Sequence, residues 1–583
     1  MEKTVPVEAG AEAFVELLNA NGVDYIFLNP GTDTFPIQEA LSKFKALGKR
    51  TPEVILSLHE SMGMAAAHGY FMVSGQPQVV LVHVDVGTQQ VGGALHNAQR
   101  GRIGVVLCAG RAPVTLEQDK LGGRWPFMWF QEQLDQTGIV RNYVKWDYEL
   151  RSNENIHQVI QRAFQITSTE PCGPVYLTFP PELLMEKIKS VHIPDVARHS
   201  AASTPQADST LLAEVAAMLV QAEMPLIITG NPGRHPQSVA SLVELAEILS
   251  ARVITSPERM NFPTTHPLCG GDNPNPYLKD ADVILVVDLD VPYAPTQAKP
   301  GPDARIIHID IDPVKPNIPM WAFPVDVLIE ADSSKAIPVL SEMIRQKVTP
   351  EQRARFQSRF RQLQSEHQKL RDDWHRLAIT QAKQKPISPE WLCHCINEVI
   401  DEDTILLNEA VTNMPSVGRQ IHRTKPATLF DSGGSSLGWG IGAALGAKLA
   451  APDKTVVTLV GDGCFLFGCP IPTLWAAGVY HAPFLCIIFN NKRYQAPKGA
   501  LRRAYGEESF SAKTGLWIGI DIEPSPDYAL IAEACRAYGQ TVEDPSALRS
   551  ALRKALDQVR RGTPAVLDVR IESEPPASYF NSP

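Results

Sequence analysis

Residues 455–463, TVVTLVGDG, decide how the carboxyl-terminal third of the chain folds. The apolar run is typical of a buried strand, and Gly-Asp-Gly ends it. A second apolar run, FLCIIF at 484–489, leads directly into Asn490 and Asn491. The segment between the two runs is long enough for a crossover helix, which predicts neighbouring parallel strands. Asp462 and Asn491 then lie at the carboxyl edge of one sheet, where open α/β sheets bind ligands.

Two oxygen-bearing side chains at that edge indicate a cation site. Either motif alone is more typical of an ordinary turn or loop, so the spacing carries the functional interpretation. Mg²⁺ favours one or two protein oxygens together with phosphate oxygens and water. The pattern therefore predicts a metal-bound diphosphate.

Similar apolar runs alternate with helical stretches along most of the chain. This predicts an α/β fold with three domains, each a mainly parallel sheet flanked by helices. We expect the domains to span residues 1–190, 205–345 and 388–575. Residues 346–387 are highly charged, with apolar residues on one stripe, which predicts a helical linker. Residues 190–210, SVHIPDVARHSAASTPQADST, are predicted to connect the first two domains.

Composition narrows the classes of function. The 583 residues carry a net charge of −10, from 54 basic and 64 acidic side chains. This balance gives no reason to expect nucleic-acid or anionic-membrane partners. The amino terminus has no apolar signal segment, and no run approaches the ~18 apolar residues of a membrane span. Cytoplasmic location is therefore the expectation, and nine scattered cysteines fit reduced thiols.

The motifs resemble those of the thiamine diphosphate-dependent 2-oxo acid enzymes, whose diphosphate motif is Gly-Asp-Gly, a helix and an asparagine pair. The segments LHESMGMAAAHGY at 58–70, NPGT at 29–32, GPVYLTFPPEL at 173–183 and IIHIDIDP at 306–313 also follow the family pattern. Benzoylformate decarboxylases look closest, and acetolactate synthase-like enzymes come second. The resemblance implies a pyrimidine-binding first domain, a middle domain and a diphosphate-binding third domain. It also implies thiamine diphosphate, Mg²⁺, and a homodimer or homotetramer whose subunits share active sites.

The resemblance further implies roles for individual residues. Glu60 matches the carboxyl group that protonates the cofactor's aminopyrimidine, and His83 matches a proton-transferring histidine. We predict that His83 lies on a strand with Asp85 on the same face. The implied metal ligands are Asp462 and Asn491 through their side chains and Arg493 through its carbonyl. The implied cofactor-binding residues are Glu60, Glu409, Ser435, Leu437, Gly461, Asp462, Gly463, Cys464, Asn491 and Tyr494.

Leu437 is implied to support the bent cofactor from beneath. The small residues before it, at 433–436, are predicted to allow a close backbone approach by the pyrimidine edge. Cys464 stands where the family commonly has serine.

The substrate pocket is where the chain departs from the family. The relatives' second active-site histidine is expected near DLDVPYAPTQ at 288–297, which contains none. KRYQAPKGALRR at 492–503 replaces the family glycine and aromatic wall, so the pocket should differ in shape. The predicted pocket residues are Thr32, Gln131, Ala496, Pro497 and Leu501.

The function most strongly indicated is a carbon–carbon lyase or carboligase that decarboxylates a 2-oxo acid. The cofactor would attack the carbonyl through C2 and accept the electrons of the broken bond, and the resulting carbanion would be protonated or add to an acceptor. Alternatives are an acyloin or 2-hydroxyacyl-CoA lyase and an acetolactate synthase-like acyl transferase. Substrates are accordingly a 2-oxo acid, an aldehyde or an acyl-CoA.

Two further alternatives concern the middle domain and catalysis itself. CoA or ADP in the middle domain stays open, whereas FAD is not expected because an arginine-rich flavin signature is missing from the sequence. A non-catalytic scaffold is disfavoured because Glu60, Asp462 and Asn491 are all present.

Overall fold

The computed structural model describes residues 2–117, 123–256 and 258–573. These residues form three parallel sheets with helices around them, which confirms the predicted α/β class and three-domain architecture. The amino-terminal sheet has six strands in the order β3-β2-β4-β5-β7-β6, and β1 pairs antiparallel with β8 beside it. The elements of this part of the chain are β1 (Lys3–Pro6), α1 (Gly10–Ala20), β2 (Tyr25–Leu28), α2 (Phe35–Ala46), β3 (Glu53–Leu56), α3 (Glu60–Ser74), β4 (Gln78–Val82), α4 (Val84–Gln90), α5 (Gly92–Arg100), β5 (Val105–Gly110), β6 (Asp147–Glu149), α6 (Ile156–Ser168), β7 (Val175–Phe179), α7 (Pro181–Met185) and β8 (Ser190–Ile193).

The middle sheet has five parallel strands in the order β10-β9-β11-β12-β13. A long helix, α12, follows it. The elements are α8 (Ser209–Gln221), β9 (Pro225–Thr229), α9 (Pro236–Leu249), β10 (Arg252–Thr255), α10 (Asn275–Leu278), β11 (Val283–Val287), β12 (Arg305–Asp310), β13 (Val327–Glu330), α11 (Ser333–Lys347) and α12 (Pro350–Thr380).

The carboxyl-terminal sheet has six parallel strands in the order β15-β14-β16-β17-β19-β18. Its elements are α13 (Pro389–Val399), β14 (Ile405–Glu409), α14 (Met414–Gln420), β15 (Leu429–Phe430), α15 (Trp439–Ala450), β16 (Val456–Gly461), α16 (Asp462–Phe467), α17 (Pro470–Val479), β17 (Leu485–Asn490), α18 (Gln495–Tyr505), α19 (Phe510–Thr514), α20 (Tyr528–Ala534), β18 (Tyr538–Val542), α21 (Leu548–Arg560) and β19 (Ala565–Arg570).

The two six-stranded sheets share one topology. When the six strands of each sheet are numbered in chain order, both sheets have the order 2-1-3-4-6-5. The chain reverses its direction of winding between the first and third strands, and the crevice at their carboxyl ends is the usual ligand site of such sheets. In the amino-terminal domain these strands are β2 and β4, and in the carboxyl-terminal domain they are β14 and β16.

Helices α3 and α15 pack together and join the two six-stranded domains. Both are rich in small residues, which lets their backbones approach closely. A side chain at Gly446 would overlap the Ala66 carbonyl, and one at Gly69 would overlap the Ala443 carbonyl. The domains therefore share one apolar core along this contact.

The domain bounds at 1–190, 205–345 and 388–575 stay predictions, and Met1 and residues 574 and 575 lie outside the described residues. The proposed connector at 190–210 begins with a strand, since residues 190–193 pair with β1. Alternating burial of these four residues explains the pairing, because Val191 and Ile193 turn into the core.

Within the predicted charged linker, Pro350–Thr380 form one helix, α12. Its Thr349 cap and Gln352 make reciprocal side-chain bonds at the first turn, which favours a helix start there. Across the described parts of the chain, no helix has the length and apolar character that a membrane crossing requires.

Candidate functional site

The Gly-Asp-Gly motif lies at the carboxyl end of β16, at the crevice between β14 and β16. Asp462 is the first residue of α16 and is buried. Its Oδ2 atom is enclosed and has no hydrogen-bond partner. Burial raises the pKa of Asp462 to about 6, against the opposing effect of nearby backbone N–H groups. A buried carboxylate oxygen with nothing bound to it is costly unless a cation or hydrogen-bond donor meets it.

Asn490 ends β17, the strand next to β16 as the spacing predicted, and Asn491 follows it directly. Asn490 donates a 2.7 Å hydrogen bond to Asp568 and is therefore used inside the sheet. Asn491 is buried, and its Oδ1 accepts the Arg493 N–H at 3.2 Å. The backbone N–H of Lys492 approaches the Asp462 carboxylate, so the two motifs meet in space.

Arg493 forms an isolated antiparallel bridge with Asp521. The flanking hydrogen bonds join Tyr494 N–H to the Ile520 carbonyl at 2.9 Å and Ile522 N–H to the Lys492 carbonyl at 2.7 Å. In this kind of pair the polar groups of the central residue point away from the partner strand. The Arg493 carbonyl is thus directed away from the 520–522 segment, which keeps it available as a ligand.

Gly463 and Tyr494 are in close contact. A side chain at Gly463 would overlap the Tyr494 ring, so glycine is required there by packing. Cys464 is buried beside them, and burial, with Glu409 and Asp462 nearby, raises the pKa of its thiol. The thiol is therefore a neutral group next to the Asp462 carboxylate at physiological pH.

Glu409 ends β14 and accepts backbone N–H groups at the start of α15. The donors are Gly438 at 2.6 Å, Trp439 at 3.1 Å and Gly440 at 2.8 Å. Burial raises the pKa of Glu409 to about 7 despite these three bonds. A carboxylate at a helix amino terminus compensates unpaired N–H groups, so this structural role accounts for Glu409. Its predicted contact with a cofactor stays a prediction.

The loop containing Ser435 and Leu437 lies against α5. Asn97 donates to the Ser436 carbonyl at 2.8 Å and accepts the Ser436 N–H at 2.9 Å. Gly434 leaves room for Asn97, because a side chain there would overlap it. Gly434 and Ser436 thus contact helix α5 of the amino-terminal domain, and the predicted approach of a pyrimidine edge to 433–436 stays a prediction. Leu437 is half-buried at the edge of the shared core, and the exposed Ser435 faces His96.

In the amino-terminal domain, Glu60 is the first residue of α3 and is buried. His59 caps the helix by accepting the Ser61 N–H at 3.2 Å. A methyl group at Gly87 would come within 3.2 Å of Glu60 Oε1, so this glycine gives the carboxylate its space. Burial and the charge of Glu60 raise the pKa of Cys469.

His83 does not lie on a strand. Strand β4 ends at Val82, and His83 precedes helix α4, so the prediction that Asp85 shares a strand face with it was wrong. The ring instead contacts Asp33, whose Oδ1 pairs with His83 Nδ1. Burial lowers the pKa of His83, but Asp33, together with more distant acids, outweighs burial and raises it.

A cavity of about 480 Å³ opens at the carboxyl edge of β2, β4, β5 and β7. Thr32, His83 and Gln131 line it together, beside an apolar wall of Phe35, Trp125, Phe127, Met128 and Met185. Arg111, also on its lining, pairs with Glu149 at 3.1 Å. The other predicted pocket residues, Ala496, Pro497 and Leu501, lie on α18 in the carboxyl-terminal domain and do not line this cavity.

Comparison with known proteins identifies all three domains. Residues 8–139 match the thiamine pyrophosphate enzyme N-terminal TPP binding domain, residues 212–340 match the central domain, and residues 410–569 match the C-terminal TPP binding domain. The chain belongs to the thiamine pyrophosphate enzyme family.

Relatives within this family extend over nearly the whole chain. The chain is 27% identical over 562 residues to benzoylformate decarboxylase of Pseudomonas aeruginosa, covering 94% of each protein. It is 27% identical over 589 residues to acetolactate synthase isozyme 3 large subunit of Escherichia coli, covering 97% of this chain and 95% of that one.

Solved structures show the same fold. The 4-hydroxybenzoylformate decarboxylase of Rhodococcus jostii superposes with a TM-score of 0.78 at 23% identity, over 97% of this chain and 99% of that one. Benzoylformate decarboxylase from Polynucleobacter necessarius gives a TM-score of 0.79 at 21% identity, with the same coverage.

The diphosphate motif of this thiamine pyrophosphate enzyme fits a cation. Asp462 supplies an unpartnered buried carboxylate oxygen, and Asn491 an amide oxygen on the adjacent strand. Among the residues that the structure describes, no group of three or more His, Cys, Asp or Glu side chains is placed to hold a metal. The residues predicted to hold the metal offer one carboxylate, one amide and one carbonyl oxygen, a set of donors that suits Mg²⁺ bound also to phosphate.

Sequence reasoning missed two residues that shape the site. Asp33 contacts His83. The only signal for it in the sequence was its position directly after the NPGT motif. Asn97 anchors the 433–436 loop from a helix in another domain, a contact that no local pattern could indicate.

Proposed function

We propose that this chain catalyses the thiamine diphosphate-dependent cleavage or formation of a carbon–carbon bond next to a carbonyl, with decarboxylation of a 2-oxo acid as the leading reaction. The observation that carries the proposal is the unpartnered, buried carboxylate oxygen of Asp462 in the family's diphosphate motif. At the position of the family's diphosphate motif, such a group is more typical of a ligand site than of a scaffold.

The proposed functions are assigned to residues of two domains. Asp462, Asn491 and the Arg493 carbonyl would hold Mg²⁺ and through it the diphosphate. Tyr494 packs on Gly463, so the two motifs are in contact there. Glu60 would hold a proton on the far ring nitrogen of the aminopyrimidine. When bound, the cofactor supplies a carbon nucleophile and accepts the electrons of the broken bond.

His83 would exchange a proton with the oxygen of the substrate carbonyl. It faces the cavity that Thr32 and Gln131 also line, so a carbonyl compound placed there would be within reach of the imidazole. The apolar wall of the cavity favours a 2-oxo acid with a sizeable apolar group.

The active site is expected to form between two subunits of a homodimer or homotetramer. Glu60 and the His83 cavity lie in one domain, and the diphosphate motif with α18 lies in another. The cavity lining contains no described residue of α18. Pairing the amino-terminal domain of one copy with the carboxyl-terminal domain of a second would bring the predicted pocket residues together. Mg²⁺, the assembly state and cytoplasmic location stay predictions.

The first experiment measures CO₂ release from aliphatic, aromatic and acidic 2-oxo acids, with and without thiamine diphosphate and Mg²⁺. Release that requires both supports the proposal, with the larger apolar substrates fastest. Asp462→Ala should abolish it, whereas Cys172→Ser, in the first domain away from the site, should not. If no 2-oxo acid in the panel releases CO₂, decarboxylation is contradicted. Acyloin and 2-hydroxyacyl-CoA cleavage would then be assayed.

A further inference from the structure

Both ring nitrogens of His83 have partners in the structure. Nδ1 contacts Asp33 Oδ1, and Nε2 lies 2.9 Å from the Gln131 amide nitrogen. We propose that Asp33 is a positioning residue that holds His83 in the Nδ1–H tautomer, so that Nε2 alone exchanges protons at the substrate cavity. This inference rests on the proposed function only for its catalytic consequence.

Contacts other than the one with His83 also hold the Asp33 side chain in place. Its side chain is buried, and its Oδ2 accepts the Val84 N–H at 3.0 Å. Gly31 and Gly110 leave the necessary space, because a side chain at Gly31 would overlap the His83 ring and one at Gly110 would overlap the Asp33 carboxylate. The two glycines, which follow β2 and end β5, thus leave the space in which the Asp33 carboxylate contacts the His83 ring.

The donors and acceptors around the ring select one tautomer. An ionised carboxylate only accepts, so Nδ1 must carry a hydrogen toward Asp33. The Gln131 amide nitrogen only donates, so Nε2 presents its lone pair to it. The neutral imidazole therefore carries its hydrogen on Nδ1, with Nε2 as the basic atom beside the cavity.

Proton transfer would then involve one atom of His83. The protonated ring gives its Nε2 proton to the oxygen of the substrate carbonyl, and the ring returns to the neutral Nδ1–H form. Water restores the proton to Nε2. Gln131 must turn its amide oxygen toward the ring while Nε2 is protonated, since two donors cannot share that contact.

The charged groups facing the ring favour its protonated form. Asp33 contacts it from the loop after β2, Asp85 acts from α4 and Glu60 from α3, and Arg111 lines the same cavity. Burial opposes the charged form of the ring, and these acids outweigh that effect on the His83 pKa. Asp85 contributes charge only, whereas Asp33 also contributes a hydrogen bond.

Asp33 could instead serve only as an acceptor for the Val84 N–H at the start of α4. Asp33→Asn separates the two roles. The asparagine oxygen keeps the Val84 bond, but its NH₂ group faces Nδ1 and forces the hydrogen to Nε2. Asp85→Asn is the matched control, because it removes a nearby negative charge without touching Nδ1.

The test is nitrogen NMR of ¹⁵N-histidine-labelled full-length protein, with His83→Gln used to assign the signals. At a pH above the His83 pKa, wild type and Asp85→Asn should show the neutral Nδ1–H form of His83, and Asp33→Asn the Nε2–H form. The pKa of His83 should fall most in Asp33→Asn. With an active substrate, kcat/KM of that variant should fall about 100-fold, and its basic limb should move to lower pH because the acid form is lost earlier.

An Nε2–H tautomer in wild type would overturn the proposal, even if Asp33→Asn did not fold. An unchanged tautomer in folded Asp33→Asn would overturn it equally. The spectra require no turnover, so failure of the decarboxylase assignment is distinguishable from failure of this inference.

Discussion

Asn490 on β17 donates a 2.7 Å hydrogen bond to Asp568 on β19, and both side chains are buried. The first asparagine of the pair is therefore a structural residue of the carboxyl-terminal sheet. The second, Asn491, emerges at the edge of the sheet beside Asp462. These adjacent, identical side chains thus have different partners, and we propose different tasks for them.

Substitution of each asparagine should separate these tasks. Asn490→Ala leaves Asp568 with one partner fewer and should lower the free energy of unfolding by about 2 kcal/mol. Asn491→Ala should change stability little but weaken Mg²⁺-dependent binding of thiamine diphosphate at least about tenfold, because an oxygen ligand is lost. Denaturant unfolding and calorimetric titration give the two quantities. Equal effects of both variants on binding would contradict the division.

Glu60→Gln should strongly reduce turnover while leaving cofactor binding nearly intact. Glutamine fills the same space beside Gly87 but cannot hold the required proton. We expect kcat to fall at least about 100-fold, measured by CO₂ release, while calorimetry reports the affinity for the cofactor. Glu53→Gln, on an exposed strand position of the same domain, is the control and should retain activity. Full activity of the Glu60→Gln variant would contradict a catalytic role for Glu60.

Mixing two inactive variants tests whether subunits share a site. In a hybrid of Glu60→Gln and Asp462→Ala, one interface combines the intact Glu60 of one subunit with the intact Asp462 of the other. Random exchange of subunits should then restore about a quarter of wild-type activity. Co-expression with two affinity tags isolates the hybrids. No recovery in isolated, folded hybrids would place the complete site within one chain.

Gly446→Ala should push α15 away from α3 and destabilise the contact between them. The added methyl group would overlap the Ala66 carbonyl, which belongs to a backbone that cannot rotate away. We expect a loss of about 3 kcal/mol of stability, measured by denaturant unfolding. Gly478→Ala, on helix α17 with open space around it, is the matched control and should be neutral or slightly stabilising. Equal stability of the two variants would show that the helix contact is not tight.

His68 should make the protein sensitive to acid. It lies on α3 and is buried edge-on to Trp439 of α15, with ring centroids 5.4 Å apart. Burial lowers the pKa of His68 from 6.5 to about 3. The unfolded chain therefore binds a proton that the folded chain excludes, so stability falls as pH drops below about 6.5, by about 2 kcal/mol at pH 5.

His68→Phe should flatten this part of the pH profile, because it keeps a ring and removes the titrating group. Thermal unfolding midpoints between pH 7.5 and pH 5 provide the measurement. His481→Asn, at an exposed position, should leave the wild-type slope unchanged. A slope that survives in His68→Phe would assign the acid sensitivity to other groups.

The sequence by itself determined the fold class and the strand order around the diphosphate motif. Apolar runs such as TVVTLV and FLCIIF are local signals, and the spacing between Asp462 and Asn491 allows only a crossover between parallel neighbours. The family motifs then indicated thiamine diphosphate. These features depend on residues close in the chain, where pattern and geometry are directly related.

The tertiary structure alone decided which partners the site residues have. Asp33 reaches His83 because two sheet strands end side by side, and Asn97 anchors the 433–436 loop from another domain. The expected strand position of His83 failed because β4 ends one residue earlier and a helix begins. Such contacts join residues distant in the chain, and their geometry follows from packing between elements, which no local pattern of residues encodes.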